Sequence, residues 1–76
     1  MNATFRNVKV GSHVTIKADY FEGLGPADPC VHEVIDVNMN WGYRIAPISP
    51  GVNGKRALIM SESRWIDIEN LDKVFN

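Results

Sequence analysis

Residues 31–48 read V-H-E-V-I-D-V-N-M-N-W-G-Y-R-I-A-P-I, two runs rich in β-branched and aromatic side chains on either side of Asn38-Met39-Asn40-Trp41-Gly42. Asn and Gly adopt positive φ at the least steric cost, so this stretch predicts a β-hairpin around which the rest of the chain must pack. Strand alternation then assigns faces. On the first arm Val31, Glu33, Ile35 and Val37 form the expected inward set, with Glu33 near the open end or displaced by a bulge, and His32, Val34 and Asp36 face outward. On the second arm Tyr43 and Ile45 oppose Arg44 and Ala46. Pro47 and Pro50, unable to donate a backbone hydrogen bond, are expected to end the ladder.

Shorter strands surround the hairpin. His13-Val14-Thr15-Ile16-Lys17 alternates with period two and turns His13, Thr15 and Lys17 outward. Residues 4–10, with Phe5, Val8 and Val10, predict a short strand or extended arm closed by Gly11. Residues 56–60 predict a strand buried on both faces, and residues 61–64 a turn. In residues 65–68, Ile66 and Ile68 share a face opposite Trp65 and Asp67. Glu69-Asn70-Leu71 is too short for an α-helix and suits one 3-10 turn, after which residues 72–75 close the chain as a strand. Gly23, Gly25, Pro26 and Pro29 interrupt residues 18–30 and make them a long loop. Its length marks it as a candidate functional segment, and its Tyr20, Phe21 and Leu24 can also cover one end of the core. The fold class that follows is all-β: five or six short antiparallel strands with a 3-10 turn before the last.

Size limits where a site can lie. A chain of 76 residues predicts one domain over 1–76, with 1–7 as an N-terminal arm. Its stability margin is about 3–5 kcal/mol, and so thin a core cannot enclose a ligand cavity. Any site is expected on the surface, in a groove between loops, or between subunits. Apolar residues at 45% against 22% charged indicate a globular rather than a disordered chain. No run approaches the roughly 18 apolar residues of a membrane-spanning helix, and the first six residues lack the apolar run of a secretory signal. Cys30 is the single cysteine and cannot form an internal disulfide, so a cytoplasmic setting is expected.

The net charge of −1 is unevenly spread. Residues 1–17 carry Arg6, Lys9 and Lys17 without an acid. Residues 18–40 carry Asp19, Glu22, Asp28, Glu33 and Asp36 without a base, and residues 41–60 return to Arg44, Lys55 and Arg56. Such blocks can complement each other across neighbouring strands. A nearly neutral total argues against general affinity for duplex nucleic acid, which needs many uncompensated phosphate contacts.

The order of elements resembles the SH3-like small β-barrels, a group that includes SH3, Tudor, KOW and plasmid type II dihydrofolate reductase domains. The residues carrying the resemblance are Val10-Gly11-Ser12-His13-Val14, Gly42-Tyr43-Arg44-Ile45 and Trp65-Ile66-Asp67-Ile68-Glu69-Asn70-Leu71. It implies a barrel over residues 8–75 and leaves function open. Ala18-Asp19-Tyr20, the loop acids Glu22 and Asp28, and Trp41 look like parts of a peptide-binding SH3 domain. Glu69-Asn70-Leu71 stands where that subgroup has a proline and a tyrosine, which removes half of a proline-binding groove. A Gly-x-x-Val start and a Gly-Tyr-x-hydrophobic strand are similar to the plasmid reductases. Ala57-Leu58-Ile59-Met60, however, offers neither the amide nor the phenol of their four-subunit pore. A Tudor-like reading would bring Tyr20, Phe21, Tyr43 and Trp65 together as a cage for a cation.

Chemistry-bearing patterns are sparse. One cysteine with His13 and His32 falls short of the paired ligands of zinc sites. Cys30 and His32 would lie side by side with no oxyanion donors nearby, and Gly23-x-Gly25 runs into Pro26 rather than a helix N-terminus. No cofactor, metal or catalysis by the monomer is expected. The expected function is a non-catalytic interaction module, a small accessory protein of the phage or plasmid kind, binding another protein through Tyr20, Phe21, Trp41 and Tyr43. Large aromatics bury much area for little lost rotamer entropy. One alternative is nucleic-acid binding through Lys9, Lys17, Arg44, Lys55 and Arg56 with an aromatic for stacking. Another is an oligomeric enzyme with a site between subunits, as in the plasmid reductases. Self-association suits a small barrel with exposed strand edges.

Overall fold

The predicted hairpin forms. In the computed structural model, which describes residues 1–17, 20, 31–49 and 56–75, β2 (His32–Asn38) and β3 (Gly42–Ser49) pair antiparallel across the turn at 39–41. Asn38 Oδ1 accepts from the backbone N–H of Asn40 at 2.8 Å and of Trp41 at 3.1 Å, so one side chain satisfies two turn donors. Gly42 ends the turn at φ +88°, and a Cβ there would sit 2.4 Å from the Ile66 carbonyl oxygen. Only glycine fits.

The inward set of the first arm differs from the alternation reading, because its one buried residue is Val34, which that reading turned outward. Val34 is fully buried, Val31, Glu33 and Ile35 are half-buried, and Val37 is exposed. The cause is a register shift: Val34 pairs with Ile45 and Asp36 with Arg44, which leaves Ile35 as an extra residue on β2. A turn at 9–12 holds Val34 in place. Gly11 N–H donates to the Val34 carbonyl (2.8 Å), and Val34 N–H donates to the carbonyl of Ser12 (2.9 Å). Ser12, itself buried, accepts the Lys9 N–H on its hydroxyl.

β1 (His13–Ile16) alternates as expected, with Val14 and Ile16 buried. It pairs with β2 on one side and with β6 (Leu71–Phe75) on the other. Pro47 does not end β3; it pairs with His32, its carbonyl accepts from Ile59, and the strand runs on to Ser49. The outer edge of β3 is shared lengthwise by β4 (Ala57–Leu58), beside Ile48 and Ser49, and β5 (Arg64–Ile66), beside Tyr43 to Ile45. A 3-10 turn at Met60–Glu62 joins these two pieces and packs against β3. Burial on both faces, expected for residues 56–60, belongs instead to β3, where Ile45, Ala46 and Pro47 are all buried; Ala57 is exposed and Leu58 half-buried. Residues 5–7 make a turn rather than the short strand or extended arm expected over 4–10. Residues 1–3 lie along β6, with Asn2 bridging Lys73 and Val74 N–H donating to the Met1 carbonyl.

The six strands thus run β4-β3-β2-β1-β6, with β5 also on β3. The fold is all-β, and the predicted 3-10 turn before the last strand is present at Ile68–Asn70. β5 and β6 lie at opposite ends of the order β5-β3-β2-β1-β6, yet only residues 67–70 join them. With that 3-10 turn the link reaches roughly 13 Å. Four interstrand spacings laid flat would need about 19 Å. The sheet must therefore curl toward a barrel. Its inside holds Val8, Val14, Ile16, Val34, Tyr43, Ile45, Ile66, Leu71 and Val74, with Ala3, Tyr20 and Ile68 packed around them.

Candidate functional site

Where the link at 67–70 meets the hairpin tip, the curled sheet leaves a surface cleft of about 670 Å³. Gly42 and the largely buried Tyr43 line it. Val37, Met39, Ile68 and Phe5 line it as well, with the turn residues Asn38 and Asn40. Each is placed by a feature already described. Past the β2 register shift Val37 lies opposite Tyr43, on the core-facing side but near the end of the strand, where it stays exposed. The tight turn lifts Met39 wholly into solvent, and the N-terminal turn brings Phe5 across. Asp67 and Glu69, one on each side of Ile68 in the chain, supply the only charges in the lining among the described residues. Neither carboxylate has an ion-pair partner among the described residues. Arg6 lies outside the lining, its guanidinium carbon 5.7 Å from the centre of the Phe5 ring.

The residues singled out from the sequence are distributed as follows. Tyr43 is largely buried and lines the cleft. Trp41 is 61% exposed on the neighbouring surface, edge-on to Trp65 with ring centres 5.5 Å apart. Tyr20 is half-buried against the core, and Phe21 lies outside the described residues. Among the basic residues, Arg44 donates from Nε to Ser63 Oγ, and Lys9 belongs to the turn at 9–12. Lys17 lines a second hollow with Glu69 and Asp72, while Arg56 lines a third of about 210 Å³ with His13 and Glu33. No one of these hollows holds two of them, and Lys55 lies outside the described residues.

The third hollow contains a His13 Nε2–Glu33 Oε1 contact of 3.1 Å across β1 and β2. Half-exposed on both sides, it ties the two strands. No group of three or more His, Cys, Asp or Glu side chains suited to a metal ion occurs among the described residues. No described helix is long and apolar enough to cross a membrane.

Sequence reasoning passed over Phe5, Val37, Met39, Asp67, Ile68 and Glu69. A signal was present for Met39, since an apolar side chain between two turn asparagines contributes nothing to the turn. Val37 reads as a core residue and is exposed only because it lies near the end of its strand, and Phe5 and Ile68 are placed by long-range folding.

Fold and cleft together define a small all-β, barrel-like domain with an apolar groove at one end. No protein-family model matches the chain, and neither does any curated protein or solved structure.

Proposed function

We propose that this chain is an SH3-like small barrel that works as a non-catalytic interaction module in the cytoplasm, binding another protein in the hairpin-tip cleft. The observation that carries the reading is the gathering of exposed Phe5, Val37 and Met39 around one hollow that Tyr43 also lines. Exposed apolar side chains scattered singly are ordinary, but several around one concavity mark an interaction site. Folding does not require Met39 there. The strand order, with the last strand returning beside the first across a 3-10 link, supports the SH3-like part of the reading. The scattering of the basic residues over separate hollows favours a protein partner over a nucleic acid.

The test is affinity capture from the source cells with three baits: the wild type, a Met39→Asp/Val37→Ser variant, and Trp41→Ala. A defined partner held by the wild type and Trp41→Ala but lost by the double variant is the expected result. Equal capture by all three would contradict the choice of cleft.

A further inference from the structure

From the cleft's mixed lining we infer that its occupant is a lysine or arginine side chain of the protein partner. This rests on the reading of the cleft as a protein-binding site and names the chemistry that fills it. The lining is largely apolar, with Phe5, Val37, Met39, Tyr43 and Ile68, and the turn amides Asn38 and Asn40 beside them. Asp67 and Glu69 both line the hollow, and among the described residues no cation does. Exposed carboxylates beside an apolar hollow match one kind of side chain best. Lysine and arginine carry three or four methylenes before the charge, so the stem can lie on apolar carbon while the head stays among carboxylates and water. A purely apolar side chain would leave both carboxylates unpaired and partly desolvated, and an acidic one would be repelled.

Two further observations agree. Asp67 and Glu69 are held by the 3-10 turn at Ile68–Asn70, where Asn70 N–H donates to the Asp67 carbonyl, so their backbone is ordered before any partner arrives. The guanidinium of Arg6 already lies over the Phe5 ring, which shows that this ring accommodates a cation. Arg6 also offsets part of the local negative charge, so the attraction is modest and short-ranged.

The experiment selects binders to the wild-type protein from a displayed library of random peptides and measures the enriched ones by fluorescence polarisation. The same peptides are titrated against Met39→Asp and against Asp67→Asn/Glu69→Gln, with circular dichroism confirming that both variants fold. The inference expects enriched peptides with Lys or Arg at one shared position. Replacing that residue by Ala should weaken binding about fivefold to tenfold, and the carboxamide variant should remove the difference. Charge reversal gives a second arm: Asp67→Lys/Glu69→Lys should prefer the same peptide with Glu at that position. Peptides that Met39→Asp no longer binds, but that show no basic preference or bind the carboxamide variant equally, would overturn this inference and leave the cleft as a protein-binding site. If no peptide distinguishes the wild type from Met39→Asp, both readings fall.

Discussion

Two glycines show how unevenly a single residue can matter in a chain this small. Both Gly11 and Gly42 have positive φ, +94° and +88°. A Cβ on Gly11 would meet nothing within 4 Å, whereas one on Gly42 would strike the backbone of Ile66. Gly11→Ala should therefore cost only the left-handed backbone penalty, about 1–2 kcal/mol. Gly42→Ala adds a clash with backbone that cannot rotate away, and should cost about 2–4 kcal/mol. Urea titrations of the two variants check this, and equal midpoints would contradict the close approach of the turn to β5. Asn38 offers a finer comparison. Asn38→Ala removes the acceptor of two turn N–H groups and should cost about 1 kcal/mol, while Asn38→Asp keeps that acceptor and should cost less than half as much. Equal losses would mean that the side-chain acceptor contributes nothing to the turn.

At the scale of elements, legibility followed the strength of the local signal. β1 was readable because Val14 and Ile16 alternate with polar neighbours, and the 3-10 turn before β6 because so few residues separate two strand patterns. The face of β2 was not readable. Valines occupy both of its faces, so alternation alone could not choose between them, and the extra residue at Ile35 switches the phase midway. The deciding contact is long-range, the docking of the 9–12 turn onto Val34. Residues 56–60 misled for a related reason. An apolar run reads as buried, but this run lies at the sheet edge and gives only two residues to the ladder. The cleft depends on these same features: Tyr43, singled out from the sequence as a contact residue, lines it, and Val37, read as a core residue, lines it too. If the 9–12 turn fixes the phase of β2, Ser12→Pro should be far more harmful than a loop substitution usually is. Proline allows neither the Lys9-directed N–H bond nor the hydroxyl acceptor, and a loss of about 2–4 kcal/mol is expected in thermal or urea unfolding. A loss below about 0.5 kcal/mol would mean that the turn does not hold β2.

For the molecule as a whole, a short link between opposite edge strands forces the sheet to curl, and the curl creates both the core and the cleft. The core has little in reserve. Leu71 is almost wholly buried at the start of β6, and Leu71→Ala should cost about 2–5 kcal/mol. Against a margin of about 3–5 kcal/mol the variant should be left only marginally stable, visible as a urea midpoint moved close to zero in the β-sheet circular dichroism signal. A variant as resistant to urea as the wild type would show that the sheet does not close over Leu71. The central claim, that the hairpin-tip cleft is where a partner binds, is tested most directly by titrating the ¹⁵N-labelled protein with a selected peptide and following its amide resonances. The account predicts shifts concentrated at Phe5, Val37–Tyr43 and Asp67–Glu69. Shifts centred on Trp65 and Arg44, or on His13 and Arg56, with the cleft amides unmoved, would contradict it.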